Sequence, residues 1–403
     1  MKTNTAEVNM VKKITKNKIL KKKLVKITKK VIVKKPAKKI VKKVIKKINI
    51  NHIVRLKRHE QNPIMSPSMY QWESEAVFNP AAVYHGGWVH LFYRAMGPDG
   101  VSRIGYAKSK DGINFKDRLF YPVYFAPNVE QMKKHWPYTS PARPVFDRDL
   151  YSSGGGWGGC EDPRAVVIDG ILYMTFNMFN GWHSMRVAVT TIREQDLLNH
   201  KFVWKNFNYL TKEGDRQKNW VLFPEKINGK FVIFHNLDMN DNDSTRVGVA
   251  YVDELDSKYT PYGDNAPDPQ KLPDRIVSWH KRTRSASAPP IKTKEGWLLL
   301  YHAMDKDGSD RYKLGAMLLD LKNPSKIIAR AMYPILEPEE WYENDYKPGI
   351  IYASGAVIKD DKLLVYYGGG DKHIGVASVV LKELLDSIKT GKNIKLKKIK
   401  NFI

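Results

Sequence analysis

WVHLFYRAMGPDGVSRIGYAKS, residues 88–109, reads as strand, turn, strand. Both runs are β-branched or aromatic and too short for a helix. The pattern recurs along the chain. First runs WVHLFYRA from Trp88, ILYMTFNM from Ile171, KFVIFHNL from Lys230, WLLLYHAM from Trp297 and KLLVYYGG from Lys362 are followed by SRIGYAKS, MRVAVTTI, TRVGVAYV, YKLGAMLL and KHIGVASV. Turns at His85-Gly86-Gly87, Asp169-Gly170, Asn228-Gly229, Glu295-Gly296 and Asp360-Asp361 precede the first runs. Asn-Gly and Asp-Gly supply the positive φ that a tight hairpin turn needs. Equivalent turn positions lie 83, 59, 67 and 65 residues apart. Five such units predict an all-β chain folded as a five-bladed β-propeller, with four strands per blade around a central channel. A β-sandwich does not produce five copies in register. The one helix expected covers 380–388, where LKELLDSI has helical spacing.

Composition narrows the classes. With 403 residues and 42% of them hydrophobic, the chain can build a core, which excludes wholesale disorder. It has no apolar run of about 18 residues, so no transmembrane helix is expected. The single cysteine, Cys160, excludes an internal disulfide framework and a cysteine-built zinc site, and fits a cytoplasmic protein. The net charge of +26 is uneven: residues 1–50 carry 19 Lys against Glu7, and residues 386–403 carry six Lys against Asp386. That leaves +3 for residues 51–385, so the basicity belongs to two tails. The expected organisation is a Lys-rich low-complexity extension (1–50), a catalytic propeller (51–385) and a basic C-terminal tail (386–403). The extension repels itself, so it is expected to be disordered alone, and helical on either side of Pro36 only against a polyanion or anionic membrane. Such contact is non-specific and salt-dependent. A nucleic-acid-binding reading rests on the tails alone.

The stretch SSGGGWGGCEDPRAVVIDG, residues 152–170, carries the chemistry. Its glycines allow close backbone approach to a ligand, and Trp157 is placed to stack on a sugar face. Pro163 fixes the backbone after Asp162. On an extended strand Glu161 and Asp162 should point opposite ways. The plainer alternative is a structural turn with Arg164 paired to a carboxylate. A basic residue precedes the small-residue motif of each second run: Arg103, Arg186, Arg246, Lys313 and His373. Together they suggest an anion pocket; separately, they are partners for carboxylates between blades.

These stretches, in order, resemble glycoside hydrolase family 130, the β-mannoside phosphorylases and related mannosidases. The matching motifs are Trp72-Glu73-Ser74-Glu75-Ala76-Val77-Phe78-Asn79-Pro80, Tyr93-Arg94-Ala95, Gly100-Val101-Ser102-Arg103-Ile104-Gly105-Tyr106, Gly159-Cys160-Glu161-Asp162-Pro163-Arg164, Lys218-Asn219-Trp220-Val221-Leu222-Phe223-Pro224-Glu225, Tyr312-Lys313-Leu314-Gly315-Ala316 and Tyr366-Tyr367-Gly368-Gly369-Gly370-Asp371. The resemblance covers nearly all of 60–385 and implies a five-bladed propeller. It implies Asp162 as the general acid, with its proton relayed through a sugar hydroxyl. It implies Asn79, Arg94, Ser102 and Asp371 as sugar-binding residues, and Arg103 is taken with them from its place in the same motif. It implies Arg186, Lys218 and His235 as the phosphate-binding set, with no metal and no cofactor beyond inorganic phosphate as co-substrate. Retention of all three cations favours phosphorolysis of β-mannoside oligosaccharides to α-mannose 1-phosphate. A phosphate nucleophile is already anionic, so a second carboxylate acting as base is dispensable. Ser285-Ala286-Ser287-Ala288-Pro289-Pro290, Asn236 after His235, and Lys372-His373 after Asp371 depart from the family pattern, near the place expected for the acceptor sugar. The rival readings are a hydrolytic β-mannosidase of the same fold and a non-catalytic carbohydrate-binding propeller.

Overall fold

Consecutive apolar residues in the strand runs leave neither strand face for water. The computed structural model describes residues 54–134, 156–180, 184–214, 216–236, 247–258, 279, 282–304 and 311–392, and shows where both faces go. The extension 1–50, the glycines before Gly156, Arg246 and the tail beyond 392 lie outside the described residues.

A short strand, β1 (Lys57–Arg58), opens the described chain. Five antiparallel units follow. The first is β2 (Ala76–His85), β3 (Trp88–Met96), β4 (Val101–Ser109) and β5 (Asp117–Arg118). The second is β6 (Gly158–Ile168), β7 (Ile171–Asn180), β8 (Ser184–Arg193) and β9 (Asn208–Tyr209), and the third is β10 (Val221–Leu222), β11 (Phe231–Asn236) and β12 (Val247–Val252). The fourth is β13 (Arg282–Ala286), β14 (Ile291–Thr293), β15 (Gly296–Met304), β16 (Lys313–Leu319) and β17 (Ile327–Arg330). The fifth is β18 (Ile351–Lys359), β19 (Lys362–Gly369) and β20 (His373–Val380), and β1 pairs with β20 to complete it. A short parallel pairing, Val101 with Gly158 and Ser102 with Gly159, joins the first two units. Gly159 has φ +102, and a side chain there would collide with the Ser102 carbonyl, so the two strands can approach only at glycine.

The core is divided among the seams between units. Leu172, Met174 and Phe176 of β7 pack with Phe92 and Tyr106 of the first unit, while Tyr173 turns to Phe231 and Ile233 of the third. Trp297, Leu299 and Tyr301 of β15 face the third unit, and Leu298 and Leu300 face the fifth. Leu364 and Tyr366 of β19 pack with Val77, Val89 and Leu91 of the first unit, so the last unit meets the first. Alternate residues of one strand thus feed two seams, which is why the runs read as continuous hydrophobics.

The glycine in three of the second runs has a steric cause. Gly105, Gly315 and Gly375 pair with Tyr93, Tyr301 and Tyr367, and a Cβ would come within 2.4–2.6 Å of the ring. This pairing sets the fourth unit one residue out of step with the run counted from Trp297, because β15 begins at Gly296. Two 3-10 helices, Gln71–Glu73 and Trp341–Glu343, precede the first strands of the first and fifth units. Each buries a glutamate on a tyrosine and an outer-strand arginine: Glu73 with Tyr93 and Arg118, Glu343 with Tyr367 and Arg58. The expected helix is observed as Leu381–Lys392, where Leu384, Leu385 and Ile388 join the core between the fourth and fifth units. No described helix is long and apolar enough to cross a membrane.

Candidate active site

Asp162 lies on β6 at a β-bulge, one extra residue between Glu161 and Arg164. Bulges also interrupt β2 between Phe78 and Ala81, β13 between Thr283 and Ser285, and β18 between Ala353 and Gly355. Bulges re-aim side chains, and here they re-aim them on the first strands of four units. The two Asx-Pro pairs, Asn79-Pro80 and Asp162-Pro163, occupy equivalent bulges, with φ 48 and 47 at the Asx residue. Asx residues tolerate this left-handed conformation better than most.

The bulge overturns the expectation that Glu161 and Asp162 face opposite ways. Alternation requires extended backbone, and Asp162 is not extended. Both carboxylates meet Arg94: Nη2 donates to Glu161 Oε1 at 2.7 Å, and Nη1 to Asp162 Oδ1 at 3.4 Å. Arg94 Nε donates to Ser102 Oγ at 3.0 Å, and its guanidinium sits 4.6 Å from the Phe78 ring centre. Asn79 Nδ2 donates to Asp162 Oδ1 at 2.7 Å. The structure therefore brings together Asn79, Arg94, Ser102 and Asp162. Asn79 Oδ1 is buried against Gly368 with no donor among the described residues.

Asn177 and Asn219, which sequence reasoning missed, extend the cluster. Asn177 Nδ2 reaches Asp162 Oδ2 at 3.4 Å and Asn219 Oδ1 at 3.1 Å, and Asn219 N donates to Asn177 Oδ1 at 2.8 Å. Asn219 has φ 62, so an Asx residue with positive φ recurs in the third unit. Gln217 N donates to the Met185 carbonyl at 3.0 Å. Lys218 is thus held between two anchors to the second unit. His235, 1% exposed, lies 5.3 Å from Trp220. Asp371 (φ 53) stands on the turn between β19 and β20 and pairs with Lys347 at 3.3 Å. Gly368, at the end of β19, packs against Asn79 so closely that a side chain there would collide with it.

Other expected residues go elsewhere. Arg103 lies on the face of β4 opposite Ser102, bonded to Asp99 at 3.1 and 2.5 Å and to the Val101 carbonyl at 3.0 Å. Arg186 donates to the Thr211 carbonyl from Nε (3.2 Å) and Nη2 (2.5 Å) and stacks 3.6 Å over Tyr209. Lys313 pairs with Glu337, and His373 with Ser66 and Asp345. Among the described members of that basic set, each holds its own local partner. Trp157 lies over Gly100 and packs into the seam of the first two units rather than standing free as a platform. Arg164 has no carboxylate partner among the described residues. It donates to the Asp162 carbonyl at 2.7 Å, the Ser287 carbonyl at 2.8 Å and Tyr352 Oη at 3.1 Å, tying the second unit to the fourth and fifth.

Electrostatics favour an ionised Asp162. Burial works to raise its pKa, but Arg94, Arg164, the Asn79 hydrogen bond and Lys218 outweigh burial and hold it below the ordinary carboxylate range. Oδ2 accepts one long hydrogen bond, so the carboxylate keeps open lone pairs toward the cluster. Among the described residues, no group of three or more His, Cys, Asp or Glu could hold a metal ion. A cleft of about 390 Å³ lined by Trp88, Lys108, Lys110, Asp111 and Lys116 lies at the other end of the first unit and contains none of the assembled residues.

Comparison with known proteins gives this arrangement a family. The family model described as beta-1,4-mannooligosaccharide phosphorylase, glycoside hydrolase family 130, matches residues 152–390. The chain is 36% identical over 341 residues to the 1,2-beta-oligomannan phosphorylase of Thermoanaerobacter sp. (strain X514), covering 82% of this chain and 99% of that protein. It is 38% identical over 344 residues to the beta-1,2-mannobiose phosphorylase of the same organism, covering 82% and 98%. A solved structure described as showing that the family 130 mannoside phosphorylases contain glycoside hydrolases that target beta-1,2 mannosidic linkages in Candida mannan matches with a TM-score of 0.63 and 26% identity, covering 82% of this chain and 95% of its own. Matched by a family model over more than half its length, and by two relatives along almost their whole length, the chain belongs to glycoside hydrolase family 130.

Proposed function

We propose that the chain is an inverting β-mannoside phosphorylase, with Asp162 as general acid and inorganic phosphate as nucleophile. A phosphate oxygen attacks the anomeric carbon from the face opposite the leaving oxygen. The glycosidic bond breaks as the new C–O bond forms. The leaving oxygen takes a proton that originates on Asp162 and passes through a sugar hydroxyl. The products are α-mannose 1-phosphate and the shortened oligosaccharide. Asn79, Arg94, Ser102 and Asp371 hold the sugar, and Arg103 contributes from outside by bracing the turn at Asp99. Lys218, His235 and Arg186 gather the phosphate, and Arg186 Nη1 has no protein partner among the described residues. The observation that carries the reading is one buried acid with an open oxygen, set among cations, while Glu161 is fully buried and paired with Arg94 at 2.7 Å.

The fold in this reading is a closed five-bladed propeller, supported by five hydrophobic seams of which the last joins the fifth unit to the first. The relatives named for β-1,2 substrates at 36% and 38% identity favour that linkage over β-1,4. The setting is cytoplasmic. Residues 1–50 make a salt-dependent polyanion contact and take no part in the chemistry. Their removal should leave phosphorolysis unchanged and abolish retention on heparin; loss of activity would contradict this.

The deciding experiment supplies β-1,2- and β-1,4-mannobiose to the full-length protein with and without phosphate. Phosphate-dependent release of α-mannose 1-phosphate is expected. Release of free mannose at the same rate without phosphate would establish the hydrolase instead, and no cleavage with either nucleophile would leave the binding propeller.

A further inference from the structure

Trp341 is the only exposed tryptophan among the described residues, at 62%. An exposed indole costs apolar surface in water, and this one is held rather than loose. The 3-10 helix that carries it is fixed by a capping box between Glu340 and Glu343. Buried Glu343 also accepts the Glu339 amide at 2.7 Å. The ring meets Tyr342 and His373 edge-on, at 5.7 and 5.4 Å between centres. Those contacts fix the orientation of the indole and leave much of its surface to solvent.

The segment after it wraps the turn that bears Asp371. Asp345 accepts from Lys372 at 2.8 Å and from His373 at 2.9 Å, Lys347 pairs with Asp371, and the Lys347 amide donates to the Gly370 carbonyl at 2.8 Å. On the far side of His373, Ser66 Oγ lies 2.9 Å from Nδ1. Exposed Met69 and Tyr70 follow shortly after it in the chain. Trp341 stands at the end of the units where first strands begin and second strands finish, as do Asp162, Asn79 and Arg94. A contact path runs from Asp162 through Asn79 and Gly368 to the Asp371 turn and on to Trp341.

A flat aromatic face beside hydrogen-bonding charges suits a pyranose ring, which has an apolar C–H face and a polar rim. We infer that Trp341 is the platform of a distal sugar subsite, taking units of a β-mannooligosaccharide beyond the two that flank the cleaved bond. The inference rests on the mannoside reading above and sharpens it. Sequence identity alone does not choose between a disaccharide and a longer chain, because the oligomannan and mannobiose enzymes are nearly equally similar. Trp341 favours the longer chain.

The test measures phosphorolysis of β-mannobiose, triose and tetraose by the full-length protein and by Trp341→Ala and Trp341→Phe. The parent should show KM falling with chain length. Trp341→Ala should raise KM for the tetraose about ten-fold, on the order of one lost aromatic anchor, with a much smaller change for the disaccharide. Trp341→Phe should restore most of the length preference. An unchanged KM ratio in Trp341→Ala, or an equal loss on all three substrates in both variants, overturns the subsite. If the parent cleaves no mannoside, the enzymatic reading fails separately. Titration of parent and Trp341→Phe with mannotetraose without phosphate, followed by tryptophan fluorescence, then decides the platform. Quenching in the parent that is largely lost in Trp341→Phe supports it, and identical titrations or no binding overturn it.

Discussion

Glu343 and Asp162 are both buried, both meet an arginine, and both stand at the same end of their units, yet they are finished differently. Glu343 Oε1 accepts from Arg58 Nε at 2.8 Å and Tyr367 Oη at 2.9 Å. Its Oε2 accepts from Arg58 Nη2 at 2.9 Å and from two backbone amides at 2.7 and 2.9 Å. Asp162 has one short bond, from Asn79, and two contacts at 3.4 Å. A desolvated carboxylate with every lone pair filled is structural material, and one left short of donors keeps lone pairs for a ligand's hydrogen bond or proton. The saturated carboxylate also pins β1 to the fifth unit, because Arg58 lies on β1. On the reading proposed above, the contrast separates a closure of the fold from a site of chemistry.

The widest separation should come from isosteric amides. Asp162→Asn removes the proposed proton donor and should lower turnover by at least about 10²-fold, the usual contribution of a general acid, with an unchanged circular dichroism spectrum. Glu343→Gln should do the reverse. Arg58 then keeps only the exposed Glu339 carboxylate as an anionic partner, and loss of its charge-assisted bonds to Glu343 should destabilise the chain by roughly 1.5–3 kcal/mol in urea unfolding, with turnover per folded molecule retained. If Glu343→Gln stayed stable and lost activity, the division between the two carboxylates would be wrong. A smaller effect is expected at Lys218. Lys218→Ala removes one charge-assisted contact, worth roughly 1.5–3 kcal/mol, so the phosphate KM should rise about ten-fold or more while mannoside affinity measured without phosphate changes little.

The strands and their fivefold recurrence are legible in the sequence because burial on both faces leaves an unbroken apolar run, and the Gly of three second runs is legible because a tyrosine ring needs its space. Asn79-Pro80 and Asp162-Pro163 could have been recognised as one motif in two units. Other features were hidden. The Glu343–Arg58 pair joins residues 285 apart, and no local pattern announces it. Glu161 and Asp162 share Arg94 only because φ is positive at Asp162, a bulge that alternation cannot foresee. The basic residues of the second runs look like one set in alignment, yet Arg103, Arg186, Lys313 and His373 each find a partner on their own rim.

The smallest effect tests how the acid acquires its proton. In the free protein the Asp162 pKa is depressed, with burial opposing the effect and Arg94, Arg164, Asn79 and Lys218 causing it. A depressed carboxylate contributes stability above its unfolded pKa, about 3.9, and loses that contribution as pH falls through the lower folded value. The ionised form is therefore the resting form at neutral pH, and a general acid must gain its proton when substrates arrive. On the proposed reading, phosphate gathered at Lys218 would offset part of the positive field and add a negative one, so the Asp162 pKa should rise on binding. Phosphate binding at mildly acid pH should accordingly take up more protons in the parent than in Asp162→Asn. Calorimetry in two buffers of different ionisation enthalpy measures that difference, and subtracting the variant removes the protons that phosphate itself exchanges. The variant should also bind phosphate more tightly, since it lacks the opposing charge. Equal proton counts and equal affinities in the two proteins would mean that Asp162 does not sense the phosphate site, and its partly filled carboxylate would then need another explanation than acid catalysis.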